Sequence, residues 1–246
     1  MNRVINTSQR GFTLIELLLA MSFVSLLLMS ITLTVIQITN IYTKGLTMRA
    51  VDQTGQALVR DIRSSIQSAR PLDVGTTNAG GGNYKPMVMV GGDINKPDGG
   101  RLCTGSYSYI WNNGQALSNP VNKYEASSDR IRLVKIRDNG GLYCSDPSRT
   151  IDHSLATEML NAGDRELAVQ SMTIHQVAQS LNSGQALYQI SFELGTNDQE
   201  ALAHNSTINT TDTSCKSPAD NQGLTDYCAV DKFEFTARTS NTGGGV

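Results

Sequence analysis

Glu16 stands where a carboxylate is out of place. Phe12, Leu14 and Ile15 precede it, and from Leu17 to Thr43 the chain has no charged residue. A carboxylate in lipid costs on the order of a few kcal/mol unless a cation meets it. Glu16 therefore belongs either at the water interface or beside a positive charge. Four cysteines, Cys103, Cys144, Cys215 and Cys228, are the other groups with distinctive chemistry. None lies in a C-x-x-C pair and no His stands at zinc-finger spacing, which argues against metal and thioredoxin-type sites. An even number behind an apolar segment fits two disulfides in an oxidising compartment. Three connectivities are open. Cys103–Cys144 and Cys215–Cys228 are favoured, because each pair brackets a polar or turn-rich segment.

The remaining candidates are weaker. His153, His175 and His204 are scattered, with no carboxylate spacing that suggests a metal. No G-x-S-x-G, S-x-x-K or P-loop is present, so hydrolase, lactamase-type and NTPase chemistry lacks a motif. The stretch "GGDINKPDGG" offers Asp93, Asn95 and Asp98 as oxygen ligands for Ca²⁺. It lacks the central Gly and late Glu of an EF-hand loop, and a plain turn is the simpler reading. Asn205 and Asn209 match the glycosylation sequon, and so does Asn6, which shows how cheap the pattern is. The aromatics of "SYSYIW" read as core rather than as a sticky patch. Net charge is −2 and there is no basic stripe, so the footprint of a nucleic-acid binder is missing.

These residues sit on recognisable elements. The leading segment is polar, with Arg3 and Arg10 and no acid. Positive charge before an apolar span stays on the cytoplasmic side, which places the rest of the chain outside. A removable secretory signal has an apolar core of only about 7 to 15 residues. The run here is about twice that, and no convincing A-x-A site closes it. A plain signal anchor explains length and orientation but not the local sequence "RGFTLIE".

Gly11-Phe12-Thr13-Leu14-Ile15-Glu16 resembles the class III signal of type IV prepilins and type II secretion pseudopilins. The resemblance covers about the first fifth of the chain. It implies cleavage after Gly11 by a prepilin peptidase, N-methylation of Phe12 and a glutamate, Glu16, at the fifth mature position. It implies as well that Glu16 pairs with the α-amine of a neighbouring subunit. Opposite charges about 4 Å apart attract by roughly 4 kcal/mol at an effective dielectric of 20, comparable to the burial penalty. A correct neighbour satisfies the acid and a slipped one leaves it bare. The plainer alternative is that Glu16 complements the positive end of the helix. Many members of the family carry Gly or Pro about twenty residues into the mature helix, whereas Ser25 to Thr34 has neither. That departure argues against an abundant major subunit.

The helix predicted from Phe12 would run on to about Arg70, before Pro71, roughly 90 Å at 1.5 Å per residue. Its first half is apolar all round. Its second half carries an apolar stripe, Val51, Leu58, Ile62, Ile66 and Ala69, at helical spacing. Arg49, Arg60, Asp61, Arg63 and Gln67 fall off that stripe. Gly45 and Gly55 are expected bending points. Residues 71–246 read as β-rich. Strands are expected at Pro86–Val90, Ser106–Trp111, Arg130–Arg137, Leu167–Val177, Leu187–Leu194 and Lys232–Arg238. The parity shift within 130–137 suggests a bulge, and Leu155–Asn161 suggests a short helix or turn. One-sided alternation predicts an antiparallel sheet with one wet face, its dry face covered by the stripe.

The expected fold class is therefore α+β and type IV pilin-like. Residues 1–11 are a leader, 12–45 a membrane and filament-core helix, 46–70 an amphipathic half and 71–246 the globular domain. The run "ALYQISFELG" resembles the larger minor pilins of the J or W type. The resemblance implies a non-enzymatic structural subunit, of minor kind, in a pilus or pseudopilus. Its partners would be other pilin subunits, the prepilin peptidase and N-methyltransferase, the inner-membrane assembly machinery, and lipid before assembly. No cofactor is implied and no nucleic acid is directly indicated. The location would be the inner membrane, single-pass, then an extracellular pilus or a periplasmic pseudopilus. A tip adhesin using loops 72–100 and 195–230 is the alternative, and a signal-anchored protein unrelated to pili is the outlier.

Overall fold

The computed structural model describes residues 11–75, 87–90, 99–114, 117, 131–138, 141–145, 150–152, 154–160, 166–180, 184–198, 200–207, 210–217 and 227–240. Helix and mainly antiparallel sheet make the chain an α+β protein. It divides into two compact units, Met1–Thr43 and Lys44–Val246.

Helix α1 (Leu14–Gln67) accounts for the described part of the first unit beyond Thr13. No Pro or Gly interrupts the run from Phe12 to Lys44, and every residue from Gly11 to Thr39 is exposed.

In the second unit the rest of α1 buries Thr47, Val51, Gly55, Leu58, Val59, Ile62, Ser65 and Ile66. The expected stripe is thus the buried face, and Ala69 and Leu72 extend it. The helix stops at Gln67, four residues before Pro71. Its end is tied by Ser240, whose N–H donates to the Gln67 carbonyl at 3.1 Å.

Two sheets flank this helix. The first holds, in order, β1 (Asp73–Gly75), β2 (Met87–Val90), β3 (Gly100–Cys103), β4 (Tyr107–Trp111), β5 (Leu133–Arg137) and β6 (Ala156–Glu158). The β1–β2 pair is parallel and the others are antiparallel. A short helix, α2 (Leu142–Ser145), follows β5. The second sheet is antiparallel, with β8 (Ala186–Thr196) between β7 (Leu167–Gln179) and β11 (Val230–Arg238). A hairpin, β9 (Leu202–Thr207) and β10 (Thr210–Cys215), forms a separate two-stranded sheet, tied to β8 where the Thr213 N–H donates to Glu193 Oε2 at 3.1 Å.

The helix stripe meets both sheets in one core. Tyr188, Ile190, Phe192 and Leu194 of β8 contribute, with Phe233, Phe235 and Ala237 of β11 and Tyr109, Trp111 and Leu133 of the first sheet. Phe192 stacks on Phe233 at 5.1 Å between centroids and meets Phe235 edge-on at 6.4 Å. Gly55 is not a bend. A Cβ there would lie 2.1 Å from Phe233 Cζ, so the missing side chain is the seat of the aromatic ring.

Several expectations are corrected. There are two sheets around the helix, not one; the second keeps the expected wet face, since buried and exposed residues alternate along β11, while the first does not. Strands β4 and β5 are covered on both sides, because Ile110, Val134 and Ile136 enter a second cluster with Leu117, Tyr143 and Ile151. That explains the parity shift in 130–137: Leu133 faces one core and Val134 the other. Pairing of β4 with β5 runs unbroken from Tyr107↔Arg137 to Trp111↔Leu133, so there is no bulge. The bulges lie in β7, at Val169/Ser171 and Gln176/Ala178. Tyr107 lies on the same face as Tyr109 and Trp111, with Lys135 Nζ over both tyrosine rings, but it is not core. It is 37% exposed, its ring 4.3 Å from Lys135 Nζ. The segment 155–161 holds strand β6, not a helix, since it pairs with β5. Strands β1, β9 and β10 lie within the ranges 72–100 and 195–230 taken for loops, whereas β2 falls on the strand expected at Pro86–Val90.

A polar lock joins α1 to the first sheet. The Tyr109 hydroxyl donates to Asp61 Oδ2 at 2.7 Å and lies 2.6 Å from Ser65 Oγ. A carboxylate only accepts, so Tyr109 gives its proton to Asp61 and Ser65 donates to Tyr109. Lys135 Nζ reaches Asp61 Oδ1 at 2.8 Å. Burial holds the Tyr109 hydroxyl far above the usual phenol range. A second tie is reciprocal: Tyr188 O–H donates to the Leu72 carbonyl at 2.9 Å and accepts from its N–H at 2.8 Å.

Candidate processing and assembly segment

The segment Gly11–Leu17 combines a free peptide bond, a helix start and a lone acid. Gly11, Phe12 and Thr13 lie outside the helix. Phe12 is 80% exposed. Thr13 is the N-cap. Its Oγ1 accepts from the Glu16 N–H at 3.3 Å, and its carbonyl accepts from the N–H groups of Glu16 and Leu17 at 3.1 and 3.2 Å. This is half of a capping box, T-x-x-E, with Glu16 at the third helical position. The pattern was available in the sequence and points to Thr13, which the motif reading passed over. Glu16 also lies in the first turn, where a negative charge is favoured.

Behind it the helix is long and apolar enough to be a single candidate membrane span. Six of its hydroxyls are satisfied internally. Ser25, Thr32, Thr34, Thr39 and Thr43 each donate to the carbonyl four residues back, at 2.8 or 2.9 Å. Ser22 donates to Leu19 O at 2.8 Å. These side chains ask nothing polar of their surroundings.

Two disulfides are formed, Cys103–Cys144 and Cys215–Cys228. Cys103 ends β3 and Cys144 lies in α2. Asp138 braces that helix, accepting from Leu142 N–H at 2.9 Å, Tyr143 N–H at 3.2 Å and Ser108 Oγ at 2.7 Å. Cys215 ends β10 and Cys228 is buried with Ala201 and Leu202, which anchors the hairpin.

The other sequence candidates do not converge. His175 is exposed on β7 and His204 lies in β9. His153, Asn209, Asn6 and the possible calcium ligands Asp93, Asn95 and Asp98 lie outside the described residues. Asn205 pairs with Asp212 across the hairpin. Among the described residues no group of three or more His, Cys, Asp or Glu stands close enough to hold a metal. Compared with known proteins, the chain matches no family model, no curated protein and no solved structure.

Proposed function

We propose that the chain is a structural, non-enzymatic subunit, of minor kind, of a type IV pilus or a type II secretion-like pseudopilus. The carrying observation is the coincidence at Gly11–Glu16. A six-residue prepilin-like signal opens on an exposed, non-helical Gly11–Phe12 bond and runs into an apolar helix with one carboxylate in its first turn. Arg3 and Arg10 hold the leader on the cytoplasmic side and send the second unit outside. A peptidase at the cytoplasmic face then cuts after Gly11, and Phe12 becomes the methylated N-terminus. Glu16 meets the α-amine of a neighbouring subunit, and the pair sets the register in which helices leave lipid for the filament. The two disulfides suit the oxidising side of the membrane.

Mass spectrometry of the mature N-terminal peptide tests this, in cells with and without their prepilin peptidase. A chain beginning at methylated Phe12, only when the peptidase is present, is the expected result. A chain beginning at Met1 in both would make this a plain signal anchor. A start beyond residue 30 would make it a secreted domain and remove any role for Glu16.

A further inference from the structure

We infer that the hydrocarbon core of the membrane ends between Ile36 and Gln37, and that the helix from Gln37 to Thr43 stands in the outer headgroup layer. The inference rests on the membrane reading above. It separates the hydrophobic span from the longer charge-free run by asking which polar side chains a lipid environment can tolerate.

The discriminating chemistry is hydroxyl against carboxamide. A hydroxyl has a single donor, and the preceding turn can take it. Four of the five hydroxyl side chains between Leu17 and Ile36, those of Ser22, Ser25, Thr32 and Thr34, make that bond. Each can therefore face acyl chains with its proton already placed. A carboxamide has two N–H donors and a carbonyl oxygen, more than one back-bond can satisfy. In hydrocarbon its remaining groups have no partner. Gln37 and Asn40 are the first carboxamides after Glu16.

The lengths agree. Leu17 to Ile36 is about 20 residues, which at about 1.5 Å each spans about 30 Å, the thickness of a hydrocarbon core. Taking the whole run to Thr43 would leave about 10 Å of excess helix. The outer segment has the composition of an interface. Gln37, Asn40 and Lys44 are interleaved with Ile38, Ile41 and Tyr42, and Tyr42 is 66% exposed. An aromatic with a polar tip, followed by a cation, suits the headgroup level. At the inner end Glu16, with Arg10 behind it, fixes the other boundary.

Cysteine accessibility in the full-length chain decides the matter. The native cysteines are paired and do not react. Single substitutions Ile31→Cys, Leu33→Cys, Thr39→Cys and Ile41→Cys would be treated from the outer face with a membrane-impermeant maleimide. Ile31 and Ile41 are both well exposed in the chain, at 56% and 73%, so protection of one and not the other reports lipid. The expected result is loss of labelling at 31 and 33 and full labelling at 39 and 41. Adding Gln37→Leu and Asn40→Leu should then extend protection to 39. Protection through 41 in the unmodified span would overturn the boundary while leaving the membrane reading intact. Labelling at 31 and 33 as fast as in detergent would overturn the membrane reading itself.

Discussion

Gly55 and Phe233 occupy one space: a Cβ on the glycine would lie 2.1 Å from the ring's Cζ and 2.3 Å from Cε2. The ring is also stacked on Phe192, so it has no easy retreat. Glycine within a helix costs about 1 kcal/mol relative to alanine, and here that cost is offset by close approach of the sheet. Gly55→Ala should therefore destabilise, by about 1–3 kcal/mol, against its helix propensity. Thermal unfolding of the chain in detergent measures it. Trimming the ring as well, in Gly55→Ala with Phe233→Leu, should recover part of the loss. A more stable Gly55→Ala chain would mean the ring does not sit there.

The Asp61–Tyr109–Lys135 lock gives a pH prediction. Burial raises the Tyr109 pKa, so the folded chain holds that proton where an unfolded tyrosine loses it. The folded state then binds more protons above about pH 10, and stability falls as pH rises beyond that point. Tyr109→Phe removes the phenol, so its melting temperature should fall less steeply between pH 9 and pH 11. The two chains differ only in that hydroxyl, so the difference between the two slopes isolates the phenol. At neutral pH the substitution should cost about 1–3 kcal/mol, because Ser65 and Asp61 lose a buried partner. Equal slopes would dismiss the phenol as the source.

The two disulfides should differ in what their removal exposes. Loop-closure entropy assigns about 3 kcal/mol to Cys215–Cys228 and about 4 kcal/mol to Cys103–Cys144, which close loops of 13 and 41 residues. Replacing Cys215 and Cys228 by Ala should admit protease into the β9–β10 hairpin while the core still melts cooperatively. Replacing Cys103 and Cys144, both buried beside the braced helix α2, should lower the melting temperature of the whole second unit. Limited proteolysis and calorimetry separate the outcomes. Matching digestion patterns for the two variants would count against independent roles.

At the other end of the chain, Thr13 and Glu16 make separable predictions. Thr13→Ala removes an N-cap and should cost about 1 kcal/mol of helix stability at that end, seen as faster amide exchange over residues 14–17. If the chain is the proposed filament subunit, Glu16→Ala should leave membrane insertion unchanged and abolish incorporation into filaments. On the proposed reading it removes a partner for a neighbour's α-amine, an attraction of roughly 4 kcal/mol at an effective dielectric of 20. Filaments containing normal amounts of the Glu16→Ala chain would leave the acid with only its helix-end role.

Much of the second unit was legible because its signals are local. The period-two runs of β8 and β11 and the stripe of α1 each state which face is dry. The cysteine pairing followed from the polar segments between them. What escaped notice depends on partners far along the chain. Asp61 and Lys135 are 74 residues apart, and each alone reads as a surface charge. Strands β9 and β10 are mostly Thr, Ser, Asn and Asp, and their few apolar residues do not alternate. A strand buried on both faces, such as β5, mimics a bulge when only one face is assumed. At the N-terminus the motif was plain, while the capping role of Thr13 needed the helix start to be fixed.

The hydroxyls of α1 have one more consequence. Five of them are bound to carbonyls a turn back within the same helix. Such a side chain has the same hydrogen bond whether acyl chains or neighbouring helices surround it. Moving the span from one apolar medium to another therefore breaks none of those bonds and demands no replacement. On the proposed reading the helix is in this sense solvent-neutral: these hydroxyls neither hold it in lipid nor favour its exit. The choice between the two media falls to the few groups that are not internally satisfied, and in the first turn that group is Glu16.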